Sequence, residues 1–265
     1  MNGTTRLSCV RWPVADLSVR VASHDAVLCA TSLLADDAAL SRAVPLLSRD
    51  ERARFDEYTN AVVARRFAIG RSALREILGC ALGMAPSCIA LREGLHGKPA
   101  LGRDAGVRRL WFSVAHTEDL LLVALSRSFD IGIDVERSRS IEQWERVADR
   151  VLAPGERAQL QRAVESGEDA GPAFLRHWCR VEAELKAIGC GIAGLEEHRA
   201  GKRPLGLRIV DLKDVPFPDA AMSNGATYQA ALALCSPGVD IARQSALASS
   251  QAVTPTMDPA KASTA

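Results

Sequence analysis

Two carboxylates in the middle of the chain, Asp134 and Glu136, have the spacing of a metal-binding pair. They lie in the run Asp-Ile-Gly-Ile-Asp-Val-Glu at residues 130–136. Short apolar, β-branched stretches favour strands, and residues two apart in a strand share a face. The two carboxylates would repel each other there, and a hard cation such as Mg²⁺ would bridge them. Taken alone, the pattern is more typical of a solvent-facing strand with ordinary charges.

A second pair, Glu182 and Lys186, is spaced so that both side chains share one face of a helix. The apolar periodicity predicts that helix over 174–188, with Gly189 as its C-terminal stop. Most such pairs are surface ion pairs. However, Trp178 lies one turn before Glu182 and makes this face partly apolar. A pair of chemical groups beside a cleft is therefore the alternative interpretation.

Several separated basic residues could supply positive charge opposite the carboxylates. Arg65, Arg66 and Arg71 lie on a second predicted helix, and Lys98 and His116 are further cationic candidates. Taken singly, each is more typical of a solvated charge or a turn histidine than of a binding site. Together they would form the basic wall of an anion-binding cleft.

An internal repeat relates the two predicted helices. Residues 47–77 resemble residues 152–188, and Arg71 takes the place of Glu182. The repeat predicts an α+β fold built as a pseudo-dimer of two related α+β halves, with the active-site cleft between a basic and an acidic wall. Chance similarity between amphipathic helices is the alternative.

The composition limits the function classes. The chain has 265 residues, of which 48% are hydrophobic, and a formal net charge of +1. A nearly neutral chain has no global field for nucleic acid or a membrane surface. Its 7 cysteines are an odd number without a Cys-x-x-Cys pair, which argues against zinc and disulfide frameworks. With no apolar signal core or membrane-length stretch, we expect a cytoplasmic monomer.

The predicted elements alternate between strands and helices. Strands are expected at 7–12, 25–34, 89–91, 110–114, 120–125, 130–136, 205–212 and 227–235. Helices are expected at 36–47 with an interruption at Pro45, 49–58 with a Ser48–Glu51 capping box, 61–79, 141–151, 153–164 and 174–188. A turn is expected at 96–99 and a loop at 165–172. We divide the chain into an N-terminal half, 1–110, a C-terminal half with the metal-binding motifs, 111–237, and a disordered tail, 238–265.

Three separated motifs resemble the 4′-phosphopantetheinyl transferases, in particular the longer, surfactin-synthetase type. The matching segments are His-Gly-Lys-Pro-Ala-Leu at 96–101 with Trp-Phe-Ser-Val-Ala-His-Thr at 111–117, Gly-Ile-Asp-Val-Glu at 132–136, and Trp-Cys-Arg-Val-Glu-Ala-Glu-Leu-Lys-Ala-Ile-Gly at 178–189. Each motif is short, but the three occur in the family's order and with family-like spacing. The resemblance covers roughly residues 47–192.

The resemblance implies an activity and its partners. Family members transfer the phosphopantetheine arm of coenzyme A to a serine of an apo acyl, peptidyl or aryl carrier protein and release adenosine 3′,5′-bisphosphate. The reaction would be Mg²⁺-dependent, with Mn²⁺ as the other candidate ion, because a diphosphate needs a divalent cation to offset its developing charge. Neither nucleic acid nor a membrane is an expected partner.

The resemblance also assigns roles to residues. Asp134, Glu136 and Glu182 would be the metal ligands, Glu182 the base for the serine hydroxyl, and Lys186 the group that steadies Glu182 and the diphosphate. The remaining residues expected at coenzyme A are Arg54, Arg66, Lys98, Ala115 and His116.

The chain departs from the family pattern at four places near these residues. Ser113 stands where the family has Asn, and Thr117 replaces Ser more mildly. Val181 stands where the family usually has Lys, and Ala115 where it has Ser before His. Losing a hydrogen bond to a charged group costs on the order of 1.5–3 kcal/mol. A degenerate relative that binds coenzyme A or a carrier protein without transfer is thus the main alternative. A different metal-dependent phosphoryl enzyme is a third.

Overall fold

The computed structural model describes residues 5–102, 109–213 and 226–237, and it has the mixed α+β fold expected from the sequence. The strands are β1 (Leu7–Arg11), β2 (Ala26–Ser32), β3 (Leu91–Glu93), β4 (Pro99–Leu101), β5 (Trp111–Thr117), β6 (Leu120–Ser126), β7 (Asp130–Arg137), β8 (Arg208–Asp211) and β9 (Tyr228–Cys235). The helices are α1 (Leu17–Ser23), α2 (Asp37–Ala43), α3 (Arg49–Glu57), α4 (Ala61–Leu82), α5 (Trp144–Val151), α6 (Pro154–Glu165), α7 (Ala170–Ile188) and α8 (Leu195–Arg199).

Two sheets form the centre of the fold. The first has the order β1-β2-β6-β5, with β1 parallel to β2 and the other pairs antiparallel. The second has the order β7-β9-β8 and is antiparallel. Strands β3 and β4 form a small separate hairpin. Alternate residues of the two larger sheets contribute to one shared apolar cluster, so these sheets pack face to face.

The inner layer explains the pattern of β7. Its residues Ile131, Ile133 and Val135 are buried against Leu28 of β2 and Leu122 of β6. Burying each large apolar side chain stabilises the fold by about 1.5–3 kcal/mol. The predicted alternation of β7 is confirmed, and its other face is covered by α7 rather than by solvent.

Helices cover the two outer faces. Helices α1 and α4 pack on the first sheet through buried residues such as Leu17 and Ile77. Helix α7 packs on the second sheet through small residues, Cys179, Ala183 and Ala187, which face alanines of β9. Small side chains allow the helix axis to approach the sheet closely. This approach brings the functional side chains of β7 and α7 together.

The two sheets also meet along one edge, where β5 lies beside β7. The Ser113 hydroxyl oxygen accepts a hydrogen bond of 3.1 Å from the backbone N–H of Ile133. The Thr117 hydroxyl oxygen accepts one of 3.3 Å from the backbone N–H of Arg137. These side chains satisfy backbone donors of β7 that its sheet partner β9 does not reach.

Several local signals act as predicted. Ser48 and Glu51 form the reciprocal capping box of α3. The helix before it ends at Ala43 and continues as a 3₁₀ turn that contains Pro45. Gly189 ends α7 in the left-handed conformation, φ 80°.

Other boundaries differ from the predictions. Asp169 caps α7, which therefore begins four residues earlier than expected and shortens the predicted loop at 165–172. Strand β3 lies at Leu91–Glu93 rather than 89–91 because Ile89 caps a preceding 3₁₀ turn and is buried. Strand β5 extends through Thr117, so His116 is a strand residue and not a turn residue.

Domain organisation remains a prediction in its details. Strand β6 pairs with β2, and β5 pairs with β6, so by sheet membership both lie with the N-terminal elements although they follow the proposed boundary at 110/111. The tail 238–265 lies outside the described residues. Within residues 5–102, 109–213 and 226–237, no helix is long and apolar enough to cross a membrane.

Candidate active site

The site is built where α7 crosses β7 at Gly132. A Cβ atom at this position would lie 2.0 Å from the carbonyl oxygen of Ala183 and 2.4 Å from the backbone nitrogen of Ala187. Glycine is therefore the residue that lets helix and strand backbones touch. Two residues further along β7, the Asp134 Oδ1 atom accepts a hydrogen bond of 2.6 Å from Nζ of Lys186 on α7.

Asp134 is a buried charge with one oxygen still available. The residue is 8% exposed, and among the described residues its Oδ2 atom has no hydrogen-bond partner. Burying a carboxylate is costly unless a cation or donors compensate it. Lys186 meets part of that demand, and the second oxygen can accept a further cation or donor.

Glu182 lies one helical turn before Lys186, and both side chains line one cavity. This cavity of 580 Å³, the acidic cavity below, has the following lining: His96, Gly97, Lys98, Pro99, Ser113, Val114, Glu182, Leu185, Lys186, Gly189, Gly191, Ile192 and Ala193. Burial raises the pKa of the Glu182 carboxyl, Lys186 opposes this rise, and the Asp134 and Glu136 carboxylates add to it. A carboxylate with a raised pKa is a better proton acceptor near neutrality.

Glu136 completes the acidic group but is turned toward an arginine. Its Oε2 atom lies 2.8 Å from Nη1 of Arg139. Among the residues that the structure describes, no three His, Cys, Asp or Glu side chains are gathered as a metal site. The chemistry of Asp134, Glu136 and Glu182 nevertheless fits a hard divalent cation, since all donors are carboxylate oxygens and one of them is buried without a partner.

A basic cleft adjoins the acidic cavity. This cleft of 430 Å³ is lined by Leu33, Arg54, Tyr58, Val63, Arg66, Phe67, Gly70, Arg71, Leu74, Pro99, Val114, His116, Glu118 and Leu121. Pro99 and Val114 line both spaces, so the two are neighbours. The structure thus brings together Arg54, Arg66 and His116, which the sequence predicts as coenzyme A contacts.

Arg66 and His116 of the basic cleft differ in charge and in what surrounds them. Arg66 donates from Nε to Oδ1 of Asp119 at 3.0 Å. Partial burial lowers the pKa of the His116 imidazole, and the charges of Lys186 and Arg66 lower it further. His116 is therefore neutral near pH 7 and able to accept or donate one hydrogen bond.

Sequence reasoning missed the aromatic part of the basic cleft. The Tyr58 and Phe67 ring centroids are 5.4 Å apart. The guanidinium carbon of Arg54 lies 5.4 Å, and that of Arg71 6.0 Å, from the Phe67 ring centroid. The four-residue spacing of Phe67 and Arg71 is the signal that would have found this stack.

Comparison with known proteins identifies the family of the segment that contains the carboxylates. The 4′-phosphopantetheinyl transferase superfamily matches residues 130–225. Residues 130–225 belong to this superfamily. The transferase segment contains Asp134, Glu136, Glu182 and Lys186, whereas Arg54, Arg66, Lys98, Ala115 and His116 precede it.

Individual relatives carry the same description. The chain is 38% identical over 158 residues to the 4′-phosphopantetheinyl transferase HetI of Nostoc sp., which covers 60% of this chain and 66% of the relative. It is 36% identical over 149 residues to a putative 4′-phosphopantetheinyl transferase of Synechocystis sp., covering 56% and 59%. It is 34% identical over 115 residues to the 4′-phosphopantetheinyl transferase AcpT of Salmonella typhimurium, covering 43% and 56%. The chain thus spans 56% to 66% of the length of these relatives.

Two further residues that the sequence predicts as coenzyme A contacts take other positions. Lys98 Nζ donates hydrogen bonds of 3.0 Å to the carbonyl oxygen of Ile131 and 2.6 Å to that of Lys186, between β7 and α7. Ala115 is 4% exposed and packs in the inner apolar layer, on the face of β5 opposite Val114 and His116. The Ala115 methyl group therefore does not line either space.

The departure at Val181 also has a structural explanation in the superfamily segment. Val181 is 0% exposed and packs with α5 and α6 residues in a buried apolar cluster. The Val181 side chain does not line the acidic cavity. In this chain, position 181 therefore points away from the place where a lysine could add positive charge to that cavity. Trp178 is partly buried against the same cluster, in agreement with a packing role.

Proposed function

We propose that the chain transfers the 4′-phosphopantetheine group of coenzyme A to a serine of an apo carrier protein and releases adenosine 3′,5′-bisphosphate. The observation that carries the proposal is the crossing of β7 and α7, which places Lys186 on Asp134 beside Glu182 within the superfamily segment. The adjoining basic cleft supports it, because coenzyme A combines a diphosphate, a 3′-phosphate and an aromatic base.

Coenzyme A would bind across the two spaces. Arg54, Arg66 and His116 would contact its phosphates in the basic cleft, where charge-assisted hydrogen bonds are strong. The Phe67 ring would offer an apolar surface beside them. Lys186 at the acidic cavity would then face the diphosphate, and this arrangement leaves Glu182 next to the reacting phosphorus.

The chemical step uses the two groups of α7. The carrier serine oxygen attacks the β-phosphorus of coenzyme A, a P–O bond forms, and the bond to the bridging oxygen of the diphosphate breaks. Glu182 accepts the serine proton, for which its raised pKa suits it. Lys186 offsets negative charge on the leaving phosphate while its contact with Asp134 fixes its position.

A divalent cation, Mg²⁺ or Mn²⁺, would be held by Asp134, Glu136 and Glu182. When bound, it supplies charge neutralisation at the diphosphate. The Oδ2 atom of Asp134, buried without a partner among the described residues, favours such a cation, and so do the Asp134 and Glu136 carboxylates, which add to the rise that burial produces in the pKa of Glu182.

The finer classification follows from the same proposal. We assign the chain to the long, surfactin-synthetase type, as a monomeric, cytoplasmic, pseudo-dimeric enzyme with its cleft between two related halves. The similar positions of α4 and α7, each on the outer face of one sheet, support this arrangement. Carrier proteins of fatty acid, polyketide, nonribosomal peptide or lysine pathways are the candidate partners.

A non-catalytic relative that binds coenzyme A or a carrier protein is the second candidate. Lys186 on Asp134 and Arg139 on Glu136 favour it, since both cations occupy carboxylates that a metal would need.

Release of adenosine 3′,5′-bisphosphate distinguishes the two candidates. We expect release that requires both Mg²⁺ and an apo carrier protein, and release at least about 100-fold slower from a matched Glu182→Gln variant that still binds coenzyme A. Coenzyme A binding without release from the unaltered chain, with every carrier tried, would favour the non-catalytic relative.

A further inference from the structure

We propose that Lys98 is a positioning residue that fixes β7 and α7 against each other at the site, and not a coenzyme A contact. Its catalytic meaning rests on the proposed function. The contact itself is independent of that function, because it joins backbone groups within this chain.

The ammonium group of Lys98 bridges the two elements that carry the chemistry. It lies 3.0 Å from the carbonyl oxygen of Ile131, three residues before Asp134 on β7. It also lies 2.6 Å from the carbonyl oxygen of Lys186, whose own side chain binds Asp134. The Lys98 ammonium thus contacts the backbones of both β7 and α7, the two elements whose side chains Asp134 and Lys186 form the ion pair.

The contact of Lys98 on α7 lies at the C-terminal end of the helix, where backbone carbonyl groups need hydrogen-bond donors. Its last four carbonyl groups, from Leu185 to Ile188, have no later helical N–H to accept from, and they form the negative end of the helix dipole. The N–H of Gly189 satisfies Leu185 at 2.8 Å. Lys98 satisfies Lys186, so its charge and its donor both suit this end of the helix.

The turn between β3 and β4 is shaped to deliver the Lys98 side chain. The N–H of Gly94 donates to the carbonyl of Lys98 at 2.8 Å, which closes the turn. His96 adopts the left-handed conformation, φ 63°, and a Cβ atom on Gly191 would lie only 2.9 Å from the Cβ of His96. The turn therefore rests on the segment that follows α7, and its residues are constrained from both sides.

The half-buried carboxylate of Asp130 also favours this position of the Lys98 ammonium. Burial raises the pKa of Asp130, and the charge of Lys98 opposes that rise. Moving the ammonium to a substrate phosphate would leave two carbonyl groups and this carboxylate without it. In its position within the chain, the ammonium interacts with both carbonyl groups and with the Asp130 carboxylate.

Backbone hydrogen exchange tests the proposal without any substrate. In Lys98→Met, which keeps a long unbranched side chain but removes the donors, we expect amides in residues 183–193 to exchange about tenfold faster than in the unaltered chain. Lys98→Arg should restore the slow exchange because its guanidinium also donates. Lys213→Met, at an exposed lysine, is the matched control and should not change exchange there. If Lys98→Met does not fold, Lys98→Gln, whose side-chain amide keeps two N–H donors but no charge, takes its place.

Binding and kinetic measurements complete the test. We expect the dissociation constant for coenzyme A to stay within about twofold in Lys98→Met while kcat falls about tenfold. Unchanged exchange at 183–193 with coenzyme A bound about tenfold more weakly would identify a phosphate contact and overturn the proposal. Unchanged exchange and unchanged kcat would also overturn it. An unaltered chain that transfers nothing would instead contradict the proposed function, and the exchange data would still decide the role of Lys98.

Discussion

A buried histidine on the far side of α7 yields a prediction about stability and pH. His198 is 1% exposed, and its Nε2 atom lies 2.9 Å from Oε2 of Glu156. Its Nδ1 atom lies 3.2 Å from Oε2 of Glu184, which is two residues after Glu182 on α7. Nε of Arg203 lies 3.0 Å from the same Glu184 oxygen. This cluster joins α6, α7 and α8.

The magnitude follows from the pKa of His198. Burial alone would lower this pKa, but the hydrogen bond to Glu156 and the close carboxylate of Glu184 raise it from its ordinary value of 6.5 to about 9. Because the folded-state pKa lies above the unfolded one, the stabilisation is complete below pH 6.5 and is lost as the pH rises through 9. A rise of this size corresponds to about 3 kcal/mol of unfolding free energy. The lowered pKa of Glu156, about 2, reflects the same contact and is not added to this value.

Urea unfolding at pH 6 and pH 9.5 measures the difference. We expect the unaltered chain to lose about 3 kcal/mol more unfolding free energy between these pH values than His198→Gln loses. The buried thiols of Cys29 and Cys179, whose pKa values burial raises, also lower the stability at pH 9.5, but they do so equally in both proteins. His24→Gln, at the end of α1, is the control and should keep the full pH dependence. Equal pH dependence in the unaltered chain and His198→Gln would refute the reasoning, because the buried ion cluster would then contribute no proton-linked stability.

Four further substitutions have expected outcomes. Gly132→Ala should lower the unfolding free energy in urea by about 3 kcal/mol or more, because its Cβ would collide with the α7 backbone, whereas Gly155→Ala, with open space around it, should change it by less than about 1 kcal/mol. Glu182→Gln should lower kcat at least about 100-fold while coenzyme A affinity by calorimetry stays within about threefold; normal turnover would remove its role as the base. Arg66→Met should weaken coenzyme A binding about tenfold or more, and unchanged binding would argue against phosphates in the basic cleft. Val181→Lys should destabilise the fold by several kcal/mol, roughly the cost of burying an unpaired charge, and an unchanged melting temperature would contradict its buried position.

The sequence predicted the parts of the fold whose signals are local. The alternation in β7 and the capping box of Ser48 and Glu51 depend on residues two or three apart, and both are confirmed. Gly132 was part of a recognised motif, but only the packing of α7 reveals that its missing Cβ decides the geometry of the site.

The remaining differences between the predicted and the observed positions concern which side of an element is covered. Ala115 and His116 are adjacent, so the strand sends one into the core and the other to the basic cleft, a choice that the predicted end of the strand at Val114 did not reveal. The direction of the Lys98 ammonium depends on carbonyl groups 33 and 88 residues away in sequence. Contacts over such separations have no local sequence signal.

The measurement that tests the central claim most directly is the intact mass of apo carrier proteins after incubation with this chain, coenzyme A and Mg²⁺. We predict a gain of one phosphopantetheine group on at least one carrier, and a gain at least about 100-fold slower with Glu182→Gln. No gain on any carrier of a broad panel, with coenzyme A binding established separately, would contradict the assignment of a transferase activity to this site.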